Sequence, residues 1–421
     1  MTEAPGSVGG HVPPHRSDLV LSDLSSDGLE DYFRVVVRGF HGEYNAEDME
    51  PFLALIDPDR AFGFRAGDRW VTTTLSLPRT MSVPGGSIPI AAVTDVTVAP
   101  AFRRRGLLTK MMRHQLSGLA EPVSVLWATE SLIYGRFGYG QLSRRLSLSG
   151  LTREMDFLPE VDLGSGSTDE VDQQTFLAAA PALREAITAG RPGLMSRDDR
   201  WWRDVLNDPE RHRGGAGPLR FALHFADDGR PDGFASFRVK RESSQTDLGR
   251  EVIINELEGD NPQAYAALWR WLLDLDLVRA FSKGSAPVDE PLLHLVRNPR
   301  MIKAELTDGA YARINDVPAA LQARRYAADV DLVLQVVDDF LTDRGGVFRL
   351  AGGADGATVT PTDRSPDLTV TSRQLASLYL GAVPARELAA AGVLGDHDPA
   401  VIGRFDRAFG TERAAYCHDF F

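Results

Sequence analysis

The sequence has a single cysteine, Cys417, which excludes an internal disulfide framework and a zinc site built from several cysteines. The sequence has fewer basic than acidic residues: 46 Lys and Arg and 59 Asp and Glu give a formal net charge of −13. This deficit argues against a nucleic-acid partner. No apolar run approaches the ~18 residues of a membrane-spanning helix, and residues 1–17 lack the apolar stretch of a secretory signal. These absences predict a cytoplasmic protein that binds no nucleic acid and does not insert into membranes.

The residues that are present are those of a large globular protein. Hydrophobic residues make up 43% of the 421 residues, which is ample for packed cores. A chain of this length predicts two or three domains at about 150 residues each. The acidic total suits a cationic small-molecule substrate better than an anionic one, although acidic totals are common among soluble proteins.

Changes in composition divide the chain into four parts. Residues 1–17 are rich in Gly, Pro, Ser and His and are expected to be a disordered tail. Residues 18–157 contain strands and helices in α/β order and end at a polar Gly/Ser linker. Residues 158–308 repeat that coarse order of elements without any residue-level repeat. Residues 309–421 predict a small α+β domain, with one helix capped by Thr371 or Ser372.

The segment 88–120 is the most informative. An apolar strand is followed by three arginines and a glycine, and an amphipathic helix begins immediately afterwards. Helix amides without intrahelical partners, a glycine that admits close approach and nearby positive charge together predict an anion site for a phosphate or pyrophosphate. The alternative is a solvated basic loop. Neither an ATP-type nor an NAD-type glycine motif is present. The candidate residues of this anion site are Arg103, Arg104, Arg105 and Gly106, followed by Leu107 and Leu108 at the start of the helix.

Two segments resemble a known family. The sequence VTVAPAFRRRGLL (96–108) resembles the acetyl-CoA motif of the GCN5-related N-acetyltransferases (GNAT). The sequence ESLIYGRFGYG (130–140) is similar to that of the enhanced intracellular survival (Eis) group of aminoglycoside acetyltransferases, and the likeness covers nearly the whole chain. The resemblance implies a tripartite α/β and α+β fold. It consists of a catalytic GNAT domain at 18–157, a second GNAT-like domain at 158–308 and a sterol-carrier-protein-like domain at 309–421.

The resemblance also implies how acetyl-CoA, the co-substrate, would bind without any metal. Backbone amides of Val96 and Val98 would hold the pantetheine arm and the thioester oxygen, where a preorganised donor stabilises the developing oxyanion. Amides of residues 104–108 would hold the pyrophosphate. The second domain has the acidic sequence Gly-Asp-Asn-Pro (259–262) at the corresponding place, which would repel pyrophosphate. Only the first domain is therefore expected to be catalytic.

Tyr134 matches the general acid of the family, which protonates the departing thiolate of CoA. A phenol titrates near ~10 and a thiol near ~8.5, so the transfer is uphill by ~2 kcal/mol and becomes easier if the site lowers the phenol pKa. The alternative is a core tyrosine that packs against Phe137 and Tyr139.

Phe421 matters in the family because its terminal carboxylate serves as the base. A carboxylate near ~3.5 cannot remove a proton from an ordinary ammonium, so it is expected to orient the amine and accept its proton through water. The alternative is a frayed end. One departure from the family is that Phe420 occupies the next-to-last position, which is often acidic, while Asp419 lies one residue earlier.

Phe40, His41, Glu43 and Asp419 are the candidates for the substrate pocket. The leading hypothesis is acetyl transfer from acetyl-CoA to amines of polycationic, aminoglycoside-like substrates, possible at several positions, by a homohexamer built as a dimer of trimers. A close alternative is an acetyltransferase for protein lysines or arylalkylamines. An alternative of a different class is a non-catalytic lipid-binding or scaffold protein.

Overall fold

The structure is a computed structural model that describes residues 19–241, 249–395 and 397–421. The predicted disordered tail at 1–17 lies outside the described residues. The described chain forms two compact units. The first comprises residues 19–77 and 93–115, and the second comprises residues 78–92 and those from 116 onwards.

The first unit is a sheet with its helices. Its strands are β1 (Leu19–Asp23), β2 (Ala61–Ala66), β3 (Arg69–Trp70), the first part of β4 (Thr72–Val83) and the last part of β5 (Gly86–Val98). Its helices are α1 (Leu29–Gly39), α2 (Ala46–Leu53) and most of α3 (Leu107–Gly118). Strand β2 pairs antiparallel with both β1 and β4. Buried Val71 and Phe102 pack with Leu107, so the start of α3 is fixed to the sheet by apolar contacts.

The second unit contains the remaining strands and helices. Its further strands are β6 (Val123–Leu126), β7 (Gly140–Gln141), β8 (Arg144–Leu151), β9 (Ser167–Val171), β10 (Arg220–Phe225), β11 (Pro231–Arg241), β12 (Arg250–Gly259), β13 (Val278–Ala286), β14 (Lys303–Asp308), β15 (Tyr311–Ile314), β16 (Val330–Val337), β17 (Gly346–Gly353), β18 (Gly356–Pro361) and β19 (Leu368–Thr371). Its helices are α4 (Ser131–Tyr134), α5 (Gln173–Gly190), α6 (Asp199–Val205), α7 (Pro262–Leu273), α8 (Leu292–Leu295), α9 (Val317–Ala323), α10 (Ser372–Leu378), α11 (Ala385–Ala390) and α12 (Pro399–Phe409). None of the helices in the described ranges has the length and apolarity needed to cross a bilayer.

Three sets of paired strands organise this unit. In the first, β6 pairs parallel with β5 at Ile90↔Val123 and antiparallel with β15, which also pairs with β7. The second sheet has the order β14-β8-β13-β12-β11-β10-β9, and the third has the order β18-β17-β16-β19. In the third, Thr371 caps α10 through a capping box with Gln374, which decides between the two predicted caps.

Two strands, β8 and β15, pair with strands that lie on the other side of a predicted domain boundary. Strand β8 precedes the boundary at 157/158 but pairs with β13 and β14 in the second sheet. Strand β15 follows the boundary at 308/309 but pairs with β6 and β7. The polar linker marks a change of composition along the chain, whereas strand pairing is decided by residues far away in sequence.

Candidate active site

A turn of unusual backbone geometry joins β5 to α3. Arg104 and Gly106 both have positive φ, of 60° and 77°. Nε of Arg103 donates a hydrogen bond to the carbonyl oxygen of Val98 at 3.1 Å, which fixes the turn to the strand. A left-handed conformation costs a non-glycine residue about 1–2 kcal/mol. Such strain is concentrated at functional sites, where surrounding contacts maintain it.

Space for a ligand lies beside Gly106. A Cβ added at Gly106 would meet no atom within 4 Å. Arg103, Arg104 and Arg105 are all exposed, and α3 begins at the next residue, Leu107. The first amides of a helix have no intrahelical acceptor and carry the positive end of its dipole. The turn can therefore hold an anion such as a pyrophosphate.

The other predicted contacts of acetyl-CoA flank this turn. Val96 and Val98 lie at the end of β5, and Leu108 lies in the first turn of α3. All three residues are half-buried, so none is enclosed in the core. The eight predicted residues thus lie in one unit, on one continuous strand–turn–helix segment.

The predicted pocket residues Phe40, His41 and Glu43 lie in the loop after α1, and all three are exposed. A Cβ added at Gly39, the last residue of α1, would lie only 2.7 Å from Cγ2 of Thr97. The end of α1 therefore packs directly on β5. This contact brings the loop beside the strand residues that are predicted to hold the thioester.

Acidic and basic residues of the first unit lie in two different segments of the chain. Residues 43–59 contain no Lys or Arg, and none of their carboxylates is buried. These carboxylates are Glu43, Glu47, Asp48, Glu50, Asp57 and Asp59. Residues 103–113 contain no Asp or Glu and carry Arg103, Arg104, Arg105, Lys110 and Arg113. One segment is thus suited to an anion and the other to a cation.

Tyr134 lies at the end of α4, at the edge of an aromatic cluster in the second unit. Its ring meets that of Tyr139 edge to face, with the centroids 5.9 Å apart. Tyr139 is fully buried, whereas Tyr134 is half-buried. Burial and the neighbouring charge of Glu130 raise the pKa of Tyr134 to about 12. The phenol is therefore protonated at neutral pH, as an acid must be.

The direction of this pKa shift differs from the one that would favour catalysis. Against a thiol near ~8.5, a phenol at about 12 makes proton transfer uphill by ~5 kcal/mol instead of ~2. The cause is desolvation, which disfavours the phenolate. The sequence shows the tyrosine but not how far it is buried in the fold.

The turn after Tyr134 is braced from β15. Nη1 of Arg313 donates to the carbonyl oxygen of Phe137 at 2.7 Å, and the same buried guanidinium pairs with Asp338. Gly138 has φ 85°, and a Cβ there would lie 2.1 Å from Nη1 of Arg313. Only glycine fits both the backbone conformation and this close approach. Gly138 therefore lets Arg313 hold the turn that follows Tyr134.

Residues 417–421 pack against the second unit. Cys417 is buried, and burial raises the pKa of its thiol to about 12. Nε1 of Trp127 donates to the backbone carbonyl of Asp419 at 2.7 Å. Phe420 is 75% exposed but lies 5.5 Å from the Trp127 ring, and Phe421 is half-buried against the core. The role of the Phe421 carboxylate as base stays a prediction.

The sequence suggested that Asp419 lines the substrate pocket, but its side chain is buried among arginines instead. Its carboxylate accepts from Arg79 at 2.7 Å, from Nε of Arg197 at 3.0 Å and from Arg184 at 3.4 Å. Burial alone would raise the pKa of Asp419, but these three guanidiniums hold it well below its usual range. Its charge is already neutralised, so it is not available to a cationic substrate.

A second carboxylate completes this buried cluster. Glu256 on β12 pairs with Arg184 and, at 2.9 Å, with Arg197. Despite burial, the charges of Arg197, His418 and Arg184 lower the pKa of Glu256 to about 2. We call Arg79, Arg184, Arg197, Glu256 and Asp419 the anchor cluster. It fixes the C-terminal residues to the second sheet.

The second GNAT-like segment lacks the features of the first turn. At the start of α7, Oδ1 of Asn261 accepts from the amide of Ala264 at 2.8 Å and so occupies the helix N-terminus. Nδ2 of Asn261 donates to Asp232 at 2.8 Å, and Asp260 lies beside it in sequence. A side-chain cap and two carboxylates disfavour a pyrophosphate at this position.

Asp95 is the residue of this region that sequence reasoning missed. It lies in β5 directly before Val96, has a left-handed backbone with φ 55°, and carries a buried carboxylate oxygen. Its signal in the sequence was a single charged residue within the apolar, β-branched run 88–98. Such a residue is expected to need a partner or a function.

Three family profiles match the chain. An acetyltransferase (GNAT) domain matches residues 21–142, and a second acetyltransferase (GNAT) domain matches residues 193–314. A sterol carrier protein domain matches residues 317–418. Together they span most of the described chain.

Relatives match over nearly their full length. A protein of Streptomyces avermitilis named as an uncharacterized N-acetyltransferase is 37% identical over 93% of this chain and 97% of its own. The N-acetyltransferase Eis of Mycobacterium tuberculosis is 33% identical over 94% of this chain and 97% of its own. The crystal structure of Eis1 from Mycobacterium abscessus superposes with a TM-score of 0.80 at 29% identity, covering 96% of this chain and 100% of that one.

Proposed function

This chain belongs to the Eis family of GCN5-related N-acetyltransferases, and we propose that it transfers acetyl from acetyl-CoA to amines of polycationic, aminoglycoside-like small molecules. The predicted fold of two GNAT domains followed by a sterol-carrier-protein-like domain is confirmed. The predicted enzyme class, an N-acetyltransferase, is also confirmed. The co-substrate and the acceptor are the proposed parts.

The turn between β5 and α3 is the observation that carries the proposal. Its exposed arginines, its strained backbone at Arg104 and the open space beside Gly106 fit a pyrophosphate. CoA bears such a pyrophosphate and supplies an acetyl thioester. Backbone amides near Val96 and Val98 would then hold the thioester oxygen as it gains negative charge.

The acidic segment 43–59 supports a cationic acceptor. Its exposed carboxylates follow directly on the loop of Phe40 and His41, which packs beside β5. Carboxylates in a solvated site attract polycations over a distance of about 8 Å at physiological salt. An acceptor with several ammonium groups gains more from this attraction than one with a single amine.

Acetyl transfer needs a base for the amine and an acid for the sulfur of CoA. The attacking nitrogen must be neutral, and it loses a proton as the C–N bond forms. The sulfur gains a proton after the C–S bond breaks, and Tyr134 is the proposed donor. The carboxylate of Phe421 is the proposed acceptor, acting through water. Assembly as a dimer of trimers is proposed from family resemblance, and light scattering that gives the mass of a monomer would refute it.

Thiol release tests the proposal directly. Purified protein is given acetyl-CoA and, separately, a kanamycin-type aminoglycoside, a lysine-containing peptide and an arylalkylamine, and free CoA is measured. We expect the highest kcat/KM with the aminoglycoside and an added mass of one or more acetyl groups on that product. A higher kcat/KM with the peptide or with the arylalkylamine would show that the acceptor is that amine and not an aminoglycoside. No release with any amine, together with lipid binding by residues 317–418, would favour a scaffold.

A further inference from the structure

The chain ends two residues after the buried carboxylate of Asp419. Phe420 and Phe421 complete it, and the terminal carboxylate is the proposed acceptor of the amine proton. Two extended residues span at most about 7 Å. The place of the terminal carboxylate is therefore set by the place of Asp419, provided that Asp419 is itself held in one position.

Asp419 is held by both its side chain and its backbone. Its carboxylate accepts hydrogen bonds from Arg79 at 2.7 Å, from Nε of Arg197 at 3.0 Å and from Arg184 at 3.4 Å. Its carbonyl oxygen accepts from Nε1 of Trp127 at 2.7 Å. The four donors lie in β4, in α5, in the segment before α6 and in the segment after β6. With donors on four separate segments, Asp419 cannot shift without breaking a hydrogen bond.

Two of the arginines that hold Asp419 are themselves fixed by other groups. Nη2 of Arg79 also donates to the carbonyl oxygen of Ser196 at 2.7 Å, and its guanidinium lies 3.6 Å from the ring centre of Trp201. The guanidinium of Arg197 lies 4.8 Å from the ring centre of Trp202. These contacts orient the donors independently of the C-terminal residues.

The residues before Asp419 are held as closely. The amide of Tyr416 donates to the carbonyl oxygen of Pro192 at 2.9 Å, and the Tyr416 hydroxyl lies 3.0 Å from Oγ of Ser285. Gly193 has φ 93°, and a Cβ there would lie 2.8 Å from the carbonyl oxygen of Tyr416. The segment from Tyr416 to Asp419 is therefore fixed to the second unit at both of its ends.

The charge of Asp419 selects one alignment of the C-terminal residues. A shift by one residue in either direction would bring His418 or Phe420 to the three guanidiniums, and neither side chain is an anion. Buried ionic groups often stabilise a fold no more than apolar ones of similar size, and their best-attested use is to specify register. Phe420 is 75% exposed and selects no alignment by burial. The anchor cluster is thus the feature that fixes where the chain ends.

We propose that Asp419 is a positioning residue, which places the terminal carboxylate of Phe421, two residues further on, so that it accepts the proton of the attacking amine through water. The inference rests on the proposed function and deepens it. Asp419 itself takes no proton and contacts no substrate, because the arginines neutralise it. The residues that act in this way all lie in the second unit.

Changing the length of the chain after Asp419 tests the proposal and leaves the anchor cluster intact. One variant carries a glycine added after Phe421, and a second lacks Phe420, so the terminal carboxylate moves by about 3.3–3.6 Å along the chain in opposite directions. We expect kcat to fall at least about 100-fold in both, because a misplacement of about 1 Å can already cost that much. The urea midpoint and the Kd of acetyl-CoA should stay close to those of the wild type. The matched control has a glycine inserted between Ala354 and Asp355, in an exposed turn, and should keep its kcat.

Asp419→Asn tests the anchor itself. It keeps the length of the chain and weakens the hold of the arginines, so we expect kcat per folded molecule to fall about tenfold or more. Because this substitution also destabilises the fold, its control is Leu350→Ala, which truncates a fully buried side chain of β17. The control should lower the urea midpoint and leave kcat per folded molecule unchanged. A purely structural role of Asp419 would give that same result for Asp419→Asn.

The inference and the proposed function fail in different ways. If wild-type protein releases no CoA with any amine, the proposed function fails and the inference fails with it. If wild-type protein is active and either length variant keeps kcat within about tenfold, the inference is overturned and the proposed function stands. Unchanged kcat per folded molecule in Asp419→Asn overturns it as well, and so does unfolding or loss of acetyl-CoA binding in the length variants, because the last residues would then serve the fold. Loss of kcat in all three variants with acetyl-CoA binding intact supports the inference.

Discussion

Replacing Asp419 with Asn should destabilise the second unit far more than neutralising a surface carboxylate. The side chains of Asp419, Arg79, Arg184 and Arg197 are each at most 2% exposed. Asn would turn one acceptor oxygen into a donor that faces a guanidinium. Arg79 would lose its carboxylate partner, while its Nε and Nη1 already have no hydrogen bond among the described residues.

The magnitude follows from the burial of these charges. Removing one partner of a buried ion pair typically costs about 3–5 kcal/mol, because the remaining charge stays desolvated. Asp331→Asn is the matched control, since Asp331 pairs with Arg349 at 2.8 Å but the two side chains are 55% and 46% exposed. An exposed pair contributes about 0–1 kcal/mol. The two substitutions should therefore differ by roughly 3 kcal/mol.

Urea unfolding followed by tryptophan fluorescence measures this difference, because Trp201 and Trp202 stack on Arg79 and Arg197. The pH dependence gives a second check. The pKa of Asp419 lies below its usual range in the folded protein, so its stabilisation is present above the unfolded value of ~3.9 and is lost as the pH falls below it. The gap between wild type and Asp419→Asn should be full at pH 7 and shrink below about pH 4. Equal midpoints for Asp419→Asn and Asp331→Asn would refute the reasoning.

Four further predictions concern the site. Tyr134→Phe should lower kcat by at least about 100-fold with the Kd of acetyl-CoA unchanged in calorimetry, and an unchanged kcat would remove the acid role. Arg104→Ala combined with Arg105→Ala should raise the KM for acetyl-CoA roughly tenfold or more, and the KM for the amine much less; equal effects on both would contradict a pyrophosphate contact. Asp95→Asn should raise the melting temperature at pH 8 and not at pH 4. Burial raises the pKa of this carboxyl to about 7, so the wild type loses stability as the pH rises from ~3.9 to that value; a gain that is the same at both pH values would contradict the shift. Three residues added after Phe421 should lower kcat, and full activity of such a variant would dismiss the terminal carboxylate.

Local sequence patterns were sufficient for the turn that defines the site. The strand β5, the Arg-Gly turn and α3 are adjacent in the chain, and each is set by its own residues and periodicity. Gly106 was expected to admit a close approach of a ligand, and its positive φ of 77° is a conformation that glycine adopts without strain. What could not be predicted is the left-handed backbone of Arg104 and Asp95, because side chains rarely select that conformation unaided.

Features that join distant segments were beyond sequence reasoning. The apolar pattern of β8 is compatible with either neighbouring sheet, and only its pairing with β13 decides between them. Asp419 was assigned to the pocket because it lies one residue before the position that is often acidic in the family. Its partners Arg79 and Arg184 lie 340 and 235 positions away, and no local signal connects them.

The anchor cluster also bears on how the chain folds during synthesis. Arg79 and Asp419 are separated by 340 residues, and ribosomes add about 5–20 residues per second. Roughly 20–70 s must therefore pass between the emergence of the guanidinium and that of its carboxylate. Until Asp419 has been made, Arg79 lacks its carboxylate partner, so this ion pair is among the last contacts of the second unit to form.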